Sequence, residues 1–156
     1  RASFVAVVIG GQHATKILPT YKIIALCQQL NRPVVLVGGP EDAERGEEII
    51  QAISHGLNAC GKLSLTQSAL LVKGADFVVS HDTGMMHISA ALKKKIYSVW
   101  GNTAPAFGMV PYLPDPTSVM LENKDLGCRP CSKIGYAKCP RGHFKCMTEI
   151  DLSPIK

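Results

Sequence analysis

Short apolar runs alternate with helix-length, one-sided segments through the first 121 residues, and this alternation leaves few folds open. The runs cover residues 4–9, 33–37, 57–60, 77–80, 96–100 and 117–121. They are strand-sized, and several are apolar at successive positions, as strands buried on both faces require. Between them lie segments of helical spacing. One begins near Pro19, a favoured first-turn residue, and carries Tyr21, Ile24, Ala25 and residues 28–30. Another, residues 41–55, is polar except for Ile49, Ile50 and Ile53 and has acidic residues in its first turn. Ser64-Leu65-Thr66-Gln67 has the spacing of a capping box ahead of a helix through Leu70, Leu71 and Val72. Residues 84–92 read as a short helix. Strands apolar on both sides and separated by helices imply a parallel sheet covered on both faces, hence a doubly wound α/β domain.

The pattern stops near residue 122. Residues 123–147 hold four of the six cysteines, three glycines and two prolines, with little periodicity of either kind. The chain therefore divides into a domain over 1–122 and a Cys-rich C-terminal appendage over 123–156, packed on it. At 156 residues and 46% hydrophobic content there is enough material for a sizeable core. No apolar run reaches the roughly 18–20 residues of a membrane span. The first run leads straight into Gly10-Gly11 without a cleavage-type segment, so it does not read as a signal peptide. The chain opens on Arg1 and not on methionine, which suits a fragment of a longer protein. Of the net charge of +5, residues 122–156 supply +3. Such a balance suits phosphorylated ligands or an anionic surface, but no arginine stripe or aromatic-studded strand points to nucleic acid.

In a doubly wound sheet, ligands bind beyond the carboxyl ends of the strands. Residues 10–18, 38–42, 81–87 and 101–108 occupy that position. Gly10-Gly11-Gln12-His13-Ala14-Thr15-Lys16 sets two glycines, a hydroxyl and a cation ahead of a helix, where backbone N–H groups approach a phosphate and Lys16 offsets its charge. It lacks P-loop spacing. His81-Asp82-Thr83-Gly84-Met85-Met86-His87 follows a buried strand and opens a helix. Asp82 or Thr83 is placed to cap the free N–H groups, and those amides suit an anion or a ribose hydroxyl. His87 lies one turn further on, within reach of a phosphate oxygen, or else simply faces solvent.

The segment Asp82-Thr83-Gly84-x-x-His87, with Ile88-Ser89-Ala90-Ala91-Leu92 and Val99-Trp100-Gly101-Asn102-Thr103 after it, resembles the signature of the heptosyltransferase family, glycosyltransferase family 9. The proline-containing loop that follows is Ala104-Pro105-Ala106-Phe107-Gly108. The resemblance extends over essentially the whole chain. It implies one half of a two-domain GT-B glycosyltransferase, a Rossmann-like nucleotide-sugar-binding domain present without its acceptor-binding partner. It further implies an ADP-heptose type donor, a lipid-linked lipopolysaccharide core acceptor reached through the missing domain, and no required cofactor. The implied setting is cytoplasmic, with peripheral contact at the inner membrane. Lys16, Thr83, Gly84 and His87 would then serve the diphosphate, Asp82 the loop or sugar, Thr103 the same rim, and Glu41 or Asp42 the ribose. We take Glu41 for that last role. The chemistry implied is inverting displacement at the anomeric carbon. No catalytic residue is assigned, because the family's base, an aspartate, belongs to the other half.

Cys128-x2-Cys131-x7-Cys139-x6-Cys146 supplies four soft ligands within nineteen residues. Free thiols, a structural zinc with His143 as a substitute ligand, and disulfides are the three readings. The second pair lacks the spacing of a metal knuckle. Cys27 and Cys60 read as buried apolar residues. Other functions that fit are a non-catalytic nucleotide-sugar-binding module, a zinc-ribbon-type interaction domain built on the tail, and an epimerase of the same architecture.

Overall fold

The structure is a computed structural model that describes residues 3–11, 13–105, 110–112, 114–132 and 135–156. Gln12 of the first loop and residues 106–108 of the proline loop lie outside them. Among the described residues, β1 (Val5–Val8), β2 (Val34–Val37), β3 (Gly56–Asn58), β4 (Phe77–His81), β5 (Ile96–Trp100) and β6 (Val119–Glu122) form one sheet in the order β3-β2-β1-β4-β5-β6. Every pairing is parallel. This order reverses direction between β1 and β4, the switch point at which a doubly wound sheet opens a crevice.

Alternate side chains of each strand separate into the two faces of the sheet. Val5, Val7, Phe77, Val79, Tyr97 and Val99 belong to one buried cluster, while Ala6, Val8 and Val78 belong to another and Ile96 and Trp100 to a third. Ile23, Leu26 and Cys27 of α1 (Thr20–Leu30) and Ile49 of α2 (Ala43–Gln51) cover the first. Val72 of α3 (Leu65–Gly74) covers the second, and Met86 and Ala90 of α4 (Gly84–Ala91) the third. Both faces are therefore dry, which is why these strands carry apolar residues at successive positions.

The capping box forms as its spacing predicts: Gln67 N–H donates to Ser64 Oγ at 3.1 Å, and Ser64 N–H to Gln67 Oε1 at 2.8 Å. Other boundaries move. The acidic start of the second helical segment is a 3-10 turn, Pro40–Asp42, and α2 itself ends at Gln51, short of residue 55. Pro19 caps α1 from outside and does not begin it. At α4, Thr83 occupies the N-cap position, yet its side chain makes no capping bond, and Asp82 is turned elsewhere. Among the described residues no helix is long and apolar enough to cross a membrane.

The tail contributes to the first cluster. Cys146 and Met147 of α5 (Lys145–Thr148), with Ile150, Leu152 and Ile155, are buried with the residues of β1 and α1. Polar side chains of α1 hold it there: Lys22 Nζ donates to Ile150 O at 2.8 Å, and Gln29 Nε2 to Leu152 O and Ile155 O at 3.2 and 3.0 Å. A four-residue helix is too short to announce itself by periodicity. Because Met147 is fully buried against the sheet domain, Met147→Ala is expected to cost about 2–5 kcal/mol, as other large-to-small core changes do. Urea unfolding of the two proteins measures it.

Candidate functional site

The crevice at the switch point is a cavity of about 490 Å3 whose lining includes Gly10, Gly11, Gly38, Gly39, Glu41 and Thr83, with Val8, Val37, Leu63, Leu65 and Met85 supplying apolar walls. Its glycine floor follows from close packing. A Cβ on Gly10 would stand 2.4 Å from Asp42 Oδ2 and one on Gly38 2.8 Å from the same atom, so Asp42 leaves no room for side chains on either turn. Asp42 is itself buried and accepts from Gly39 N–H at 3.0 Å. That carboxylate organises the turn, whereas Glu41, one residue earlier, is exposed at the cavity rim.

Beside the cavity, three separate loops meet around one carboxylate. Lys16, from the 3-10 turn Ala14–Lys16, brings Nζ to 3.1 Å from Asp82 Oδ2. Both side chains are nearly out of water, at 9% and 4% exposure. Thr103 Oγ1 donates to the same Asp82 oxygen at 3.3 Å. An isolated ion pair this deep is a weak stabiliser, since desolvation consumes much of the Coulomb gain. An ammonium has three N–H donors, and the pair uses one. The cluster is thus a fixed ion pair at the strand ends, next to the start of α4.

Thr83 lines the cavity, and Gly84 begins α4 with its surface exposed. A Cβ on Gly84 would meet nothing within 4 Å, so no internal packing demands a glycine there. The first turn of a helix leaves N–H groups without intrahelical partners; here Met86 N–H donates to Thr83 O at 3.1 Å, and Gly84 at the helix start is exposed. His87 is exposed on α4 and does not line the cavity. The fold therefore joins Lys16, Asp82 and Thr103, sets Thr83, Gly84 and Glu41 beside them, and leaves His87 one turn away.

Two residues that sequence reading passed over hold the first loop. His81 ends β4 fully enclosed, accepting Leu18 N–H at Nε2 (2.9 Å) and meeting Gly10 O at Nδ1 (3.3 Å). This pattern requires the neutral ring with its proton on Nδ1. Burial pushes the His81 pKa down to about 4, outweighing the pull of the Gly10 carbonyl. Arg45, from α2, donates to Ile9 O at 2.7 Å, Leu18 O at 2.5 Å and Thr20 Oγ1 at 2.9 Å. A histidine closing an otherwise apolar strand was a usable signal. Arg45 sat on the polar side of an amphipathic helix and gave none.

The tail thiols share a second, smaller cavity of about 150 Å3, lined by Cys128, Cys131, Cys139 and Cys146 together with His143 and Asn102. All six cysteines are free. Asn102 is buried there, and neither of its side-chain polar atoms has a partner among the described residues. Burial raises Cys146 to about 11 and also raises Cys131. At Cys139 burial acts in the same direction, but hydrogen bonds from the backbone of Phe144, Arg141, Gly142 and His143 outweigh it and the thiol is lowered. As placed, no group of three or more His, Cys, Asp or Glu among the described residues could hold a metal ion. Cys27 and Cys60 are buried, and burial takes each thiol up to about 12, as inert apolar residues should be.

Comparison with known proteins places these features in context. The family model for glycosyltransferase family 9 (heptosyltransferase) matches residues 3–138. Lipooligosaccharide heptosyltransferase 2 of Haemophilus influenzae is 32% identical over 127 residues, 75% of this chain and 36% of that protein. Lipopolysaccharide heptosyltransferase 2 of Escherichia coli is 32% identical over 97 residues, 57% of this chain and 28% of that protein. This chain thus spans about a third of the length of the curated relatives it matches. In structure, E. coli ADP-heptose heptosyltransferase II superposes with a TM-score of 0.71 at 21% identity, covering 95% of this chain and 46% of that one. The dodecameric iron-containing heptosyltransferase TibC, solved with ADP-D-β-D-heptose, superposes with a TM-score of 0.71 at 19% identity over 99% of this chain and 43% of that one.

The neutral state of His81 has a consequence for stability. Its folded pKa of about 4 lies below the ordinary 6.5. Between those values the unfolded chain takes up a proton that the folded one refuses. The contribution of His81 is therefore complete above pH 6.5 and lost as pH falls toward 4, with a slope approaching about 1.4 kcal/mol per pH unit. Unfolding of wild type and His81→Gln at pH 7.5, 6, 5 and 4.5 should show this slope in the wild type and its absence in the variant.

Proposed function

Because the chain belongs to glycosyltransferase family 9, we propose that it is the donor-binding half of an inverting heptosyltransferase, acting on an ADP-sugar. The observation that supports this most directly is the enclosed Lys16–Asp82–Thr103 cluster beside an open, glycine-floored cavity at the switch point of the sheet. A nucleoside diphosphate fits the chemistry of that surface. Its base suits the apolar walls of Leu63, Leu65 and Met85, and its ribose hydroxyls the exposed carboxylate of Glu41, since Asp42 is occupied by its own turn. The diphosphate suits the N–H groups at Thr83 and Gly84 and the ammonium of Lys16. Asp82 orients Lys16 and Thr103 steadies Asp82, while His87, exposed one turn along α4, would have to turn toward the phosphates to meet them.

In the reaction proposed, an acceptor hydroxyl oxygen bonds to the anomeric carbon as the bond from that carbon to the diphosphate oxygen breaks. The electron pair leaves with ADP, and configuration inverts. Lys16 and the helix-start amides lower the energy of the charge that gathers on the departing diphosphate. The hydroxyl proton passes to a base in the acceptor-binding half, so this chain alone is inactive. The acceptor is the lipid-linked lipopolysaccharide core, which sets the protein in the cytoplasm in peripheral contact with the inner membrane. In this scheme residues 1–122 form the nucleotide-sugar domain and 123–156 its extension.

Thermal unfolding with ADP, ADP-heptose and UDP tests the site. At about 100 times its dissociation constant a ligand adds about 2.7 kcal/mol, and each kcal/mol moves a midpoint roughly 2–4 °C in a chain this size. Stabilisation by the adenine compounds, lost in Lys16→Ala and weakened in His87→Ala, is the expected result. A shift with UDP alone would exclude the heptose donor, and a shift unaltered by Lys16→Ala would exclude this site.

A second reading concerns the tail alone. Four thiols around one cavity suit a soft structural metal, and a structural relative is described as iron-containing. The residues as placed do not yet converge on an ion, so binding would draw the thiols inward. Elemental analysis of chain purified without chelator is expected to give about one zinc or iron per molecule. Metal-free protein with four titratable tail thiols would establish the free-thiol reading instead.

A further inference from the structure

Lys16, Asp82 and Thr103 come from three loops, and no one of those loops determines where the others lie. The tail touches two of them. Thr15, next to Lys16 and almost fully buried, is joined to the Tyr136 backbone three times. Its N–H donates to Tyr136 O at 3.1 Å, its hydroxyl to the same oxygen at 3.0 Å, and Tyr136 N–H donates to Thr15 Oγ1 at 2.7 Å. On the far side, three successive carbonyls after β5 all accept from the tail. Gly101 O takes Arg129 Nε at 2.6 Å, Asn102 O takes Cys131 N–H at 3.0 Å, and Thr103 O takes Arg129 Nη2 at 2.8 Å. The Arg129 side chain is 4% exposed and spends its remaining nitrogen on Asn123 O at 3.0 Å and Glu122 Oε1 at 3.3 Å.

At Gly101 the two loops and the tail pack closely. A Cβ on Gly101 would stand 2.8 Å from Thr15 O and 2.8 Å from Met147 Cε.

We propose that Arg129 is a positioning residue for diphosphate recognition: through the backbone of residues 101–103 it sets the Thr103 hydroxyl on Asp82, and so orients Lys16. It touches no ligand. Its planar fork spans the carbonyls of residues 101 and 103 in fixed geometry, which a lysine's single flexible ammonium does not reproduce. The Thr15–Tyr136 bonds do the equivalent task for the loop of Lys16. This inference rests on the donor-binding reading above.

A merely structural role would weaken every ligand alike, so the test compares ADP with adenosine, which lacks the phosphates. Calorimetric titrations use this chain as wild type, Arg129→Lys, Lys16→Met and the double variant, each checked for fold by circular dichroism. Arg129→Lys is expected to weaken ADP at least about ten-fold while adenosine stays within about two-fold. The double variant should bind ADP no more than about two-fold worse than Lys16→Met, because both changes act on one interaction. Equal losses for ADP and adenosine, an unchanged ADP affinity, or additive losses in the double variant would each overturn the proposal. If Lys16→Met itself left the ADP-to-adenosine ratio unchanged, or wild type bound neither, the donor-binding reading would fall and this inference with it. A Lys16 effect without an Arg129 effect would remove this inference alone. Should Arg129→Lys not fold, Thr15→Val, which deletes two of the three Tyr136 bonds, carries the same comparison with the same outcomes.

Discussion

A lysine ammonium and a carboxylate held 3.1 Å apart, each almost stripped of water, tolerate little slack around them. Separating them would leave an uncompensated charge in a low-dielectric environment, which costs several kcal/mol. The surrounding structure therefore has to deliver Lys16 and Asp82 to one another accurately, and much of the molecule is engaged in doing so. Asp82 directly follows β4, a strand buried at all five positions. Lys16 is carried on a loop, and loops do not position themselves.

Side chains from elsewhere supply the restraint. His81 reaches across from the end of the same strand to bond the loop at residues 10 and 18, and Arg45 enters from α2 to bond residues 9, 18 and 20. Tyr136 holds residue 15 from the tail. Three elements distant in sequence thus share one loop between them. None of these restraints has to contact a ligand to matter, because rigid presentation of a charge is what makes it useful at a binding site.

The parallel sheet and its helices could be read from the chain because periodicity is a local property. Residues 4–9, 77–80 and 96–100 are continuous apolar runs because both sheet faces are covered, and Ser64 with Gln67 forms a cap that four residues suffice to specify. The signature from Asp82 to His87 was legible for the same reason. The tail was harder. Met147, Ile150, Leu152 and Ile155 complete the core over β1 and α1, but they sit in a four-residue helix and the irregular chain after it, where no repeat is long enough to register.

What the sequence alone determined about this protein is its class, a doubly wound α/β domain of glycosyltransferase family 9, and the loops that lie at the carboxyl ends of its strands. The choice among residues within those loops belonged to the tertiary structure. Glu41 and Asp42 are adjacent acids, and only packing against Gly10 and Gly38 shows that Asp42 is committed to its turn while Glu41 remains available. Lys16 and His87 both lie close to glycine-bearing turns, and only burial separates a fixed partner of Asp82 from a side chain on the surface. Hydrophobic pattern acts between near neighbours in sequence, so it is written along the chain. The Lys16–Asp82 pair joins residues 66 positions apart and the Arg45 fork reaches back 25 to 36 positions, and their energies exist only once the chain has brought them together.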